Sequence, residues 1–416
     1  MGLWAVARLL TDIRPLRESA DFRRLWIGST VSQLGQQMTA VTVSIQVYAL
    51  THSTFAVGLV GLCSLVPLIV FGLYGGAMAD AIDRRTLALV SSTGLWLLSM
   101  LLVAQSELHW NQVGVLYGVV AAQSACFAVN NPARSAIIPR LIRPELLPAA
   151  NTLSQAAFNL GFTAGPLLGA VVIAWQGFGA AYLVDVITFT AALYALFRLP
   201  PVPPTGLVRR AGLRSVLEGF TFLRTAPALL ATFLADILAM VFAQPRALFP
   251  AVAGSFFAGG VRTVGVLQAA PALGALVGVL FSGWVSRLRR QGVAIVAAIT
   301  VYAAAVGLFG LSRTIWLGVA LLAMSGAADM VSSAYRNTVL QSAAPDAMRG
   351  RLQGVFIVVV AGGPRLGDFV AGTTASLTTP TIALLAGAAV CITGLFVLLA
   401  WNKPFRAYDS EVRALR

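Results

Sequence analysis

The chain has 416 residues, of which 58% are hydrophobic and only 11% charged, and it carries a net charge of +14 with a mean hydropathy of +0.83. Soluble domains hold about 25% charged residues, so this balance excludes an ordinary soluble fold and indicates a polytopic membrane protein. At about 20 residues per spanning helix, about twelve spans with short loops use up the length and leave no separate soluble domain.

The basic charge does not point to nucleic acid, because the arginines fall in alternate loops and not on one amphipathic face. Cys63, Cys126 and Cys391 lie inside apolar segments without metal-ligand spacing, so they read as plain buried thiols and no metal site is expected. Residues 1–21 contain Arg8, Asp12, Arg14, Arg17 and Glu18 with no apolar core before a cleavage site, so no cleaved leader is expected.

Apolar periodicity predicts spans at about 23–50, 55–79, 86–106, 112–133, 150–174 and 177–198. A second set follows at about 227–251, 262–284, 291–311, 314–340, 351–374 and 378–401. Arg23 and Arg24 precede span 1, Arg84 and Arg85 follow span 2, Arg134, Arg140 and Arg143 follow span 4, and Arg209, Arg210 and Arg214 follow span 6. Arg289 and Arg290 follow span 8, Arg349 and Arg351 follow span 10, and Lys403, Arg406, Arg413 and Arg416 lie in the tail. The intervening loops are nearly free of basic residues, with Arg262 and Arg313 as exceptions. By the positive-inside rule both termini are cytoplasmic, in a multi-pass protein expected in a bacterial inner membrane.

Residues 199–226 open with a proline cluster and continue as a basic amphipathic stretch, a cytoplasmic linker suited to anionic headgroups. It divides the chain into an N-terminal six-helix half, 1–198, and a C-terminal half with a short tail, 227–416. The halves echo each other. Gly165-Pro166-Leu167-Leu168-Gly169 in span 5 is matched by Gly363-Pro364-Arg365-Leu366-Gly367 in span 11, and Phe22-Arg23-Arg24 by Phe222-Leu223-Arg224.

The short charged run GAMADAIDRR at 76–85 joins spans 2 and 3. Gly76, Asp80, Arg84 and Arg85 resemble the Gly-x-x-x-Asp-x-x-Gly-Arg-Arg/Lys signature loop of the major facilitator superfamily, with Asp83 where that pattern has glycine. The resemblance implies an all-α fold of twelve transmembrane helices in two six-helix halves, with a substrate site between parallel repeats. It also implies a cytoplasmic gate in which Asp80 accepts from a helix N-terminus or pairs with Arg134. A solvated turn whose arginines only set topology is the alternative.

The stretch NNPARSAIIPRLIRPELLPAANTLSQAAFNLGFTAGPLLGA at 130–170 resembles the efflux branch of the superfamily that contains the enterobactin exporter, as do ALFPAVA at 247–253 and PDAMRGRLQGVF at 345–356. Gly161, Gly165, Pro166 and Gly169 resemble the helix 5 motif of drug/proton antiporters, which could pack span 5 on a helix of the other half; generic helix packing is the alternative. One departure stands out: Val120 occupies the position of the usual proton-relay arginine ahead of Gln123.

A charge inside a span is costly and therefore a candidate for function. Asp236, with no basic residue at i±3 or i±4, is the first proton-carrier candidate, followed by Asp329 and Asp368. Arg365 and Asp368 share a helix face and could neutralise each other, and Asp185 reads as structural. The superfamily's cavity is lined by helices 1, 4, 7 and 10, so Gln33, Gln37, Gln123 and Asp236 are the expected substrate contacts; interhelical hydrogen bonds are the alternative use of these amides. No Walker loop or other enzyme site is present and no cofactor is expected.

These features predict a monomeric secondary transporter that exports a small amphipathic molecule, a siderophore or drug-like compound, by alternating access with protons as the counter-substrate. An importer or lipid facilitator on the same fold, and a non-transporting receptor or scaffold, remain the alternatives.

Overall fold

The computed structural model describes residues 12–203, 221–280, 290–343 and 346–408; within helices, the side chains at 73, 75–77, 79–80, 280, 341–343, 346–354 and 356–358 lie outside the description. The described residues contain no strand. The long helices are α1 (Ala20–Thr51), α2 (Thr54–Ala81), α3 (Arg84–Glu107) and α4 (Val113–Leu141). The continuous helix Leu147–Phe197 bends at Gly177, whose φ of +82 favours glycine, and so forms α5 (147–176) and α6 (178–197). Then come α7 (Pro227–Phe257), α8 (Val261–Leu280), α9 (Gln291–Phe309), α10 (Ile315–Ala343), α11 (Asp346–Leu377) and α12 (Pro380–Trp401).

Nine stretches among the described residues are long and apolar enough to cross a bilayer, and the 54-residue stretch Pro144–Phe197 holds two. Two helices fall outside this set. In α1, Gln33, Gln36, Gln37 and Gln46 dilute the apolar surface, and part of α11 lies outside the described side chains. Prolines stand inside α2, α4, α5, α8 and α11, as membrane bundles allow where neighbours re-satisfy the freed backbone groups.

Two helices, α4 and α7, differ most from their predicted bounds. α4 continues through Pro132 and Pro139 to Leu141, so Arg134 and Arg140 stand on the helix and not in the loop after it. α7 extends to Phe257 but is not continuous: Pro227–Ile237 passes into a π-helical turn at Leu238–Phe242, the backbone leaves helix at 243–245, and Arg246–Leu248 restarts it as a 3-10 turn. Pro245 supplies no amide hydrogen to continue the ladder.

The chain forms two compact units, Met1–Val43 with Val70–Ala211, and Ser44–Ile69 with Gly212–Arg416. In the first, one end of α1, α3, α4 and α6 closes over Leu25, Leu87, Ala133, Ile137 and Leu196. Leu199 and Val202, at the start of the linker, are buried in the same cluster, and the Arg84 amide donates to Val202 O at 3.1 Å. Phe22, Ala150 and Leu153 bind the beginnings of α1 and α5 in a second cluster. On this unit's surface Arg143 pairs with Glu18, and Arg14 beside Asp12 holds that carboxyl below its ordinary range.

In the second unit small residues bring backbones together, as expected where lipid supplies little hydrophobic drive between helices. A Cβ on Gly274 of α8 would lie 1.8 Å from Ala323 O of α10, and one on Gly326 of α10 would lie 1.8 Å from Pro271 O of α8. Gly58 and Gly372 likewise appose α2 and α11, beside a Thr54 Oγ1 to Gly372 O bond of 3.0 Å. Arg313, an exception to the charge pattern, rests over the Phe256 ring at 4.2 Å. Cys391 is buried, whereas Cys63 and Cys126 are half-buried.

Candidate functional site

Buried polar groups mark the candidate site because each must find a partner where water is scarce. In the first unit they gather where α1, α3 and α4 meet. Arg134 on α4 donates to Ser29 Oγ at 3.0 Å and Ser32 Oγ at 3.4 Å on α1, and to Ser92 Oγ at 3.1 Å on α3. Asn130, one turn earlier, donates to Ser91 Oγ at 2.8 Å and Ser92 Oγ at 2.7 Å. Every one of these partners is neutral, and among the described residues the buried Nε of Arg134 has none.

Beside the guanidinium opens a cavity of about 150 Å³. Its polar lining comes from Ser29, Ser32, Gln33 and Gln36 of α1 and Asn130 and Asn131 of α4, and its rings from Phe22, Trp26, Phe127, Phe158 and Phe189. Gln33 thus lines this cavity. Gln37 and Gln123 are not part of this lining. Gln123 approaches Ser99 Oγ at 3.4 Å, and Ser99 in turn donates to Asp185 Oδ2 at 2.7 Å, joined there by Thr39 Oγ1 at 2.9 Å. Asp185 therefore ties α1, α3 and α6 together.

The helix 5 motif packs on α1 of the same unit. A Cβ on Gly161 would lie 2.7 Å from Gln33 Cγ, one on Gly165 2.6 Å from Gln37 Cβ, and one on Gly169 3.2 Å from Met38 Cα. Within this unit the close approach leaves α1 no room for further side chains at these positions.

The signature loop is likewise anchored locally. Asp83 caps α3 by accepting from the Thr86 amide at 2.8 Å. Arg84 donates to Ala136 O at 3.3 Å, and Arg85 caps the C-terminus of α6 through Leu196 O at 3.2 Å and Phe197 O at 2.6 Å. Gly76 and Asp80 lie on the helical backbone of α2, but their side chains are outside the described residues. Among the described residues, Arg134 is held by hydroxyls and not by a carboxylate.

In the second unit Asp236 of α7 forms an ion pair with Arg336 of α10, and the other arm of Arg336 reaches Asp329 Oδ1 at 3.3 Å. Asp236 and Arg336 are almost fully buried, whereas the Asp329 side chain is 40% exposed. Asp236 is thus not the isolated carboxyl that its own helix suggests, because its partner comes from a helix 100 residues away.

The break in α7 forms the other polar centre. Tyr302 of α9 donates to the freed Ala243 O at 3.1 Å. Gly367 of α11 lets Met240 O approach within 2.0 Å of where a Cβ would be, and Gly387 of α12 does the same for Phe242 O. Arg365 turns back to Ala361 O at 2.5 Å and does not pair with Asp368, whose buried Oδ1 has no partner among the described residues. The serines around Arg134 and the Asp236–Arg336 contact were not singled out by the sequence; Ser29 and Ser32, three apart on the helix face leading to Gln36, are the signal that could have found the first group.

A family profile described as transmembrane secretion effector matches residues 10–414. The chain is 29% identical to the enterobactin exporter EntS of Citrobacter koseri over 94% of each chain, and 29% identical to that of Shigella boydii over 97% of this chain and 98% of the relative. The fold is similar to that of the POT family transporter PepTSo, with a TM-score of 0.74 at 13% identity over 94% of this chain and 99% of the other. It is also similar to the nucleoside transporter NupG, with a TM-score of 0.71 at 16% identity over 92% and 99%.

Proposed function

The chain belongs to the transmembrane secretion effector family, a major facilitator group of transporters and not of enzymes, and from this premise we propose that it exports a small amphipathic organic molecule of siderophore or drug-like type. The relatives named enterobactin exporters match it over nearly their whole length. The observation that carries the reading is the cavity beside Arg134, which combines amides, hydroxyls and a guanidinium with five aromatic rings. An amphipathic solute finds both a polar and an apolar wall there.

In this reading the protein works as a monomer by alternating access in the inner membrane, with both termini cytoplasmic and the halves 1–198 and 227–416 rocking about the linker. Gly76, Asp80, Arg84, Arg85 and Arg134 belong to the cytoplasmic gate. Gln33 lies on the substrate path, with Gln37 and Gln123 behind it. Protons drive the cycle through the second unit. Asp329, the more exposed acid on Arg336, takes up a proton first, and Asp236 follows when its pair with Arg336 loosens; Asp368 at the α7 break is the further acceptor.

The test uses inside-out vesicles holding a pH-sensitive dye and a panel of siderophores and drugs. Substrate-dependent proton efflux is expected. Solute crossing with no proton movement would leave a facilitator, and accumulation in the opposite sense an importer. Flipping of a labelled lipid would indicate a lipid facilitator. No counter-flow of any solute would favour a receptor or scaffold.

A further inference from the structure

The two halves carry an arginine at matching places on their fourth helices. Arg134 and Arg336 are 202 residues apart, close to the 198 between Gly165 and Gly363 and the 200 between Phe22 and Phe222. Each reaches from the fourth helix of its half to the first. Arg336 meets the carboxylate of Asp236 there, whereas Arg134 meets Ser29 and Ser32. The space beside them differs accordingly. The pocket lined by Asp236 and Arg336 measures about 10 Å³, and the cavity beside Arg134 about 150 Å³.

We propose that the cavity beside Arg134 binds the carboxylate of an aromatic organic acid, which takes the place that Asp236 occupies on Arg336. The guanidinium is held by three neutral hydroxyls, and among the described residues it meets no carboxylate and its buried Nε meets no acceptor. Arg pairs with carboxylate more strongly than with neutral acceptors. The ring follows from size and lining. A space of about 150 Å³ is that of one benzene ring, and Trp26, Phe127 and Phe158 supply walls on which a ring stacks. The inference rests on the transport reading for its purpose, but binding and transport are measured separately.

The probes are benzoate and its neutral isostere benzamide, titrated by calorimetry into the purified full-length protein in detergent. Benzoate is expected to bind about tenfold tighter than benzamide, the difference between a charge-assisted and a neutral hydrogen bond. Arg134→Gln should abolish the discrimination. Ser32→Asp should abolish it too while keeping Arg134, because it supplies the internal carboxylate found in the second unit; this variant adds an ion pair and guards against a result caused by misfolding. Inorganic phosphate, which offers charge without a ring, should not displace benzoate at equal concentration. Equal binding of the two probes, no binding of either, discrimination that survives Arg134→Gln or Ser32→Asp, or displacement by equal phosphate would each overturn the proposal. Benzoate discrimination in a protein that moves no solute would uphold the site and overturn the transport reading instead.

Discussion

Arg336 of α10 is ion-paired with Asp236 of α7, and the two side chains are only 8% and 5% exposed. Losing one partner from such a pair leaves a buried charge uncompensated, which costs about 3–5 kcal/mol, whereas removing both charges is often nearly neutral. Asp329 shares Arg336 at 3.3 Å and softens the loss. Asp236→Asn should therefore lower thermal stability in detergent by the equivalent of about 3 kcal/mol. Asp236→Asn combined with Arg336→Gln should recover most of it. A double variant as unstable as the single one would contradict the pairing.

The seam between α5 and α1 makes a sharper pair of expectations. Overpacking a tight contact costs about 1–3 kcal/mol. At Gly161 the obstacle is Gln33 Cγ, so Gly161→Ala should destabilise and the added Gln33→Ala should relieve it. At Gly165 the obstacle is Gln37 Cβ, which alanine retains, so Gln37→Ala should not rescue Gly165→Ala. Melting temperatures of the four proteins decide the matter; equal rescue at both positions would refute this geometry.

Asp185 accepts from Thr39 and Ser99 on one oxygen. A carboxamide oxygen can accept both bonds, so Asp185→Asn should retain folding and transport. Asp185→Ala removes the acceptor and leaves two buried hydroxyls unpaired at about 1–3 kcal/mol each. Reduced yield and an early unfolding transition should follow, and a loss of transport in the asparagine variant with normal stability would show a proton role for Asp185.

Arg85 ends α6 by binding Leu196 O and Phe197 O, with the Phe197 ring 5.9 Å from its charge. Arg85→Ala should cost about 1 kcal/mol of stability through the lost cap and dipole interaction. Lysine should restore part of this, since one ammonium cannot reproduce a two-pronged contact. A transport rate that falls in step with stability assigns Arg85 to structure, and a larger fall assigns it to the gate.

Much of the fold was legible because burial in lipid demands long apolar helices, so hydropathy located the rods. The glycine motif of span 5 and its echo in span 11 were also visible. Their structural meaning was not: Gly165 packs on Gln37 of α1 and Gly363 on Met240 of α7, a correspondence that only contacts reveal. The break at 243–245 was read as ordinary span, although Gln244-Pro245-Arg246 signals an interruption. The predicted span 112–133 stops short of the helix end at Leu141, because the polar and basic residues Arg134, Ser135 and Arg140 do not read as membrane-spanning. Pairings such as Asp236 with Arg336 join separate helices, and spacing along one helix carries no information about them.

The central claim is proton-driven export, and one measurement meets it most directly. Inside-out proteoliposomes are given a labelled siderophore and an acid-inside gradient, with and without an uncoupler. Accumulation inside the vesicles that collapses on adding the uncoupler is the predicted result; accumulation against a concentration gradient that persists without any proton gradient, or movement only out of the vesicles, would contradict the account.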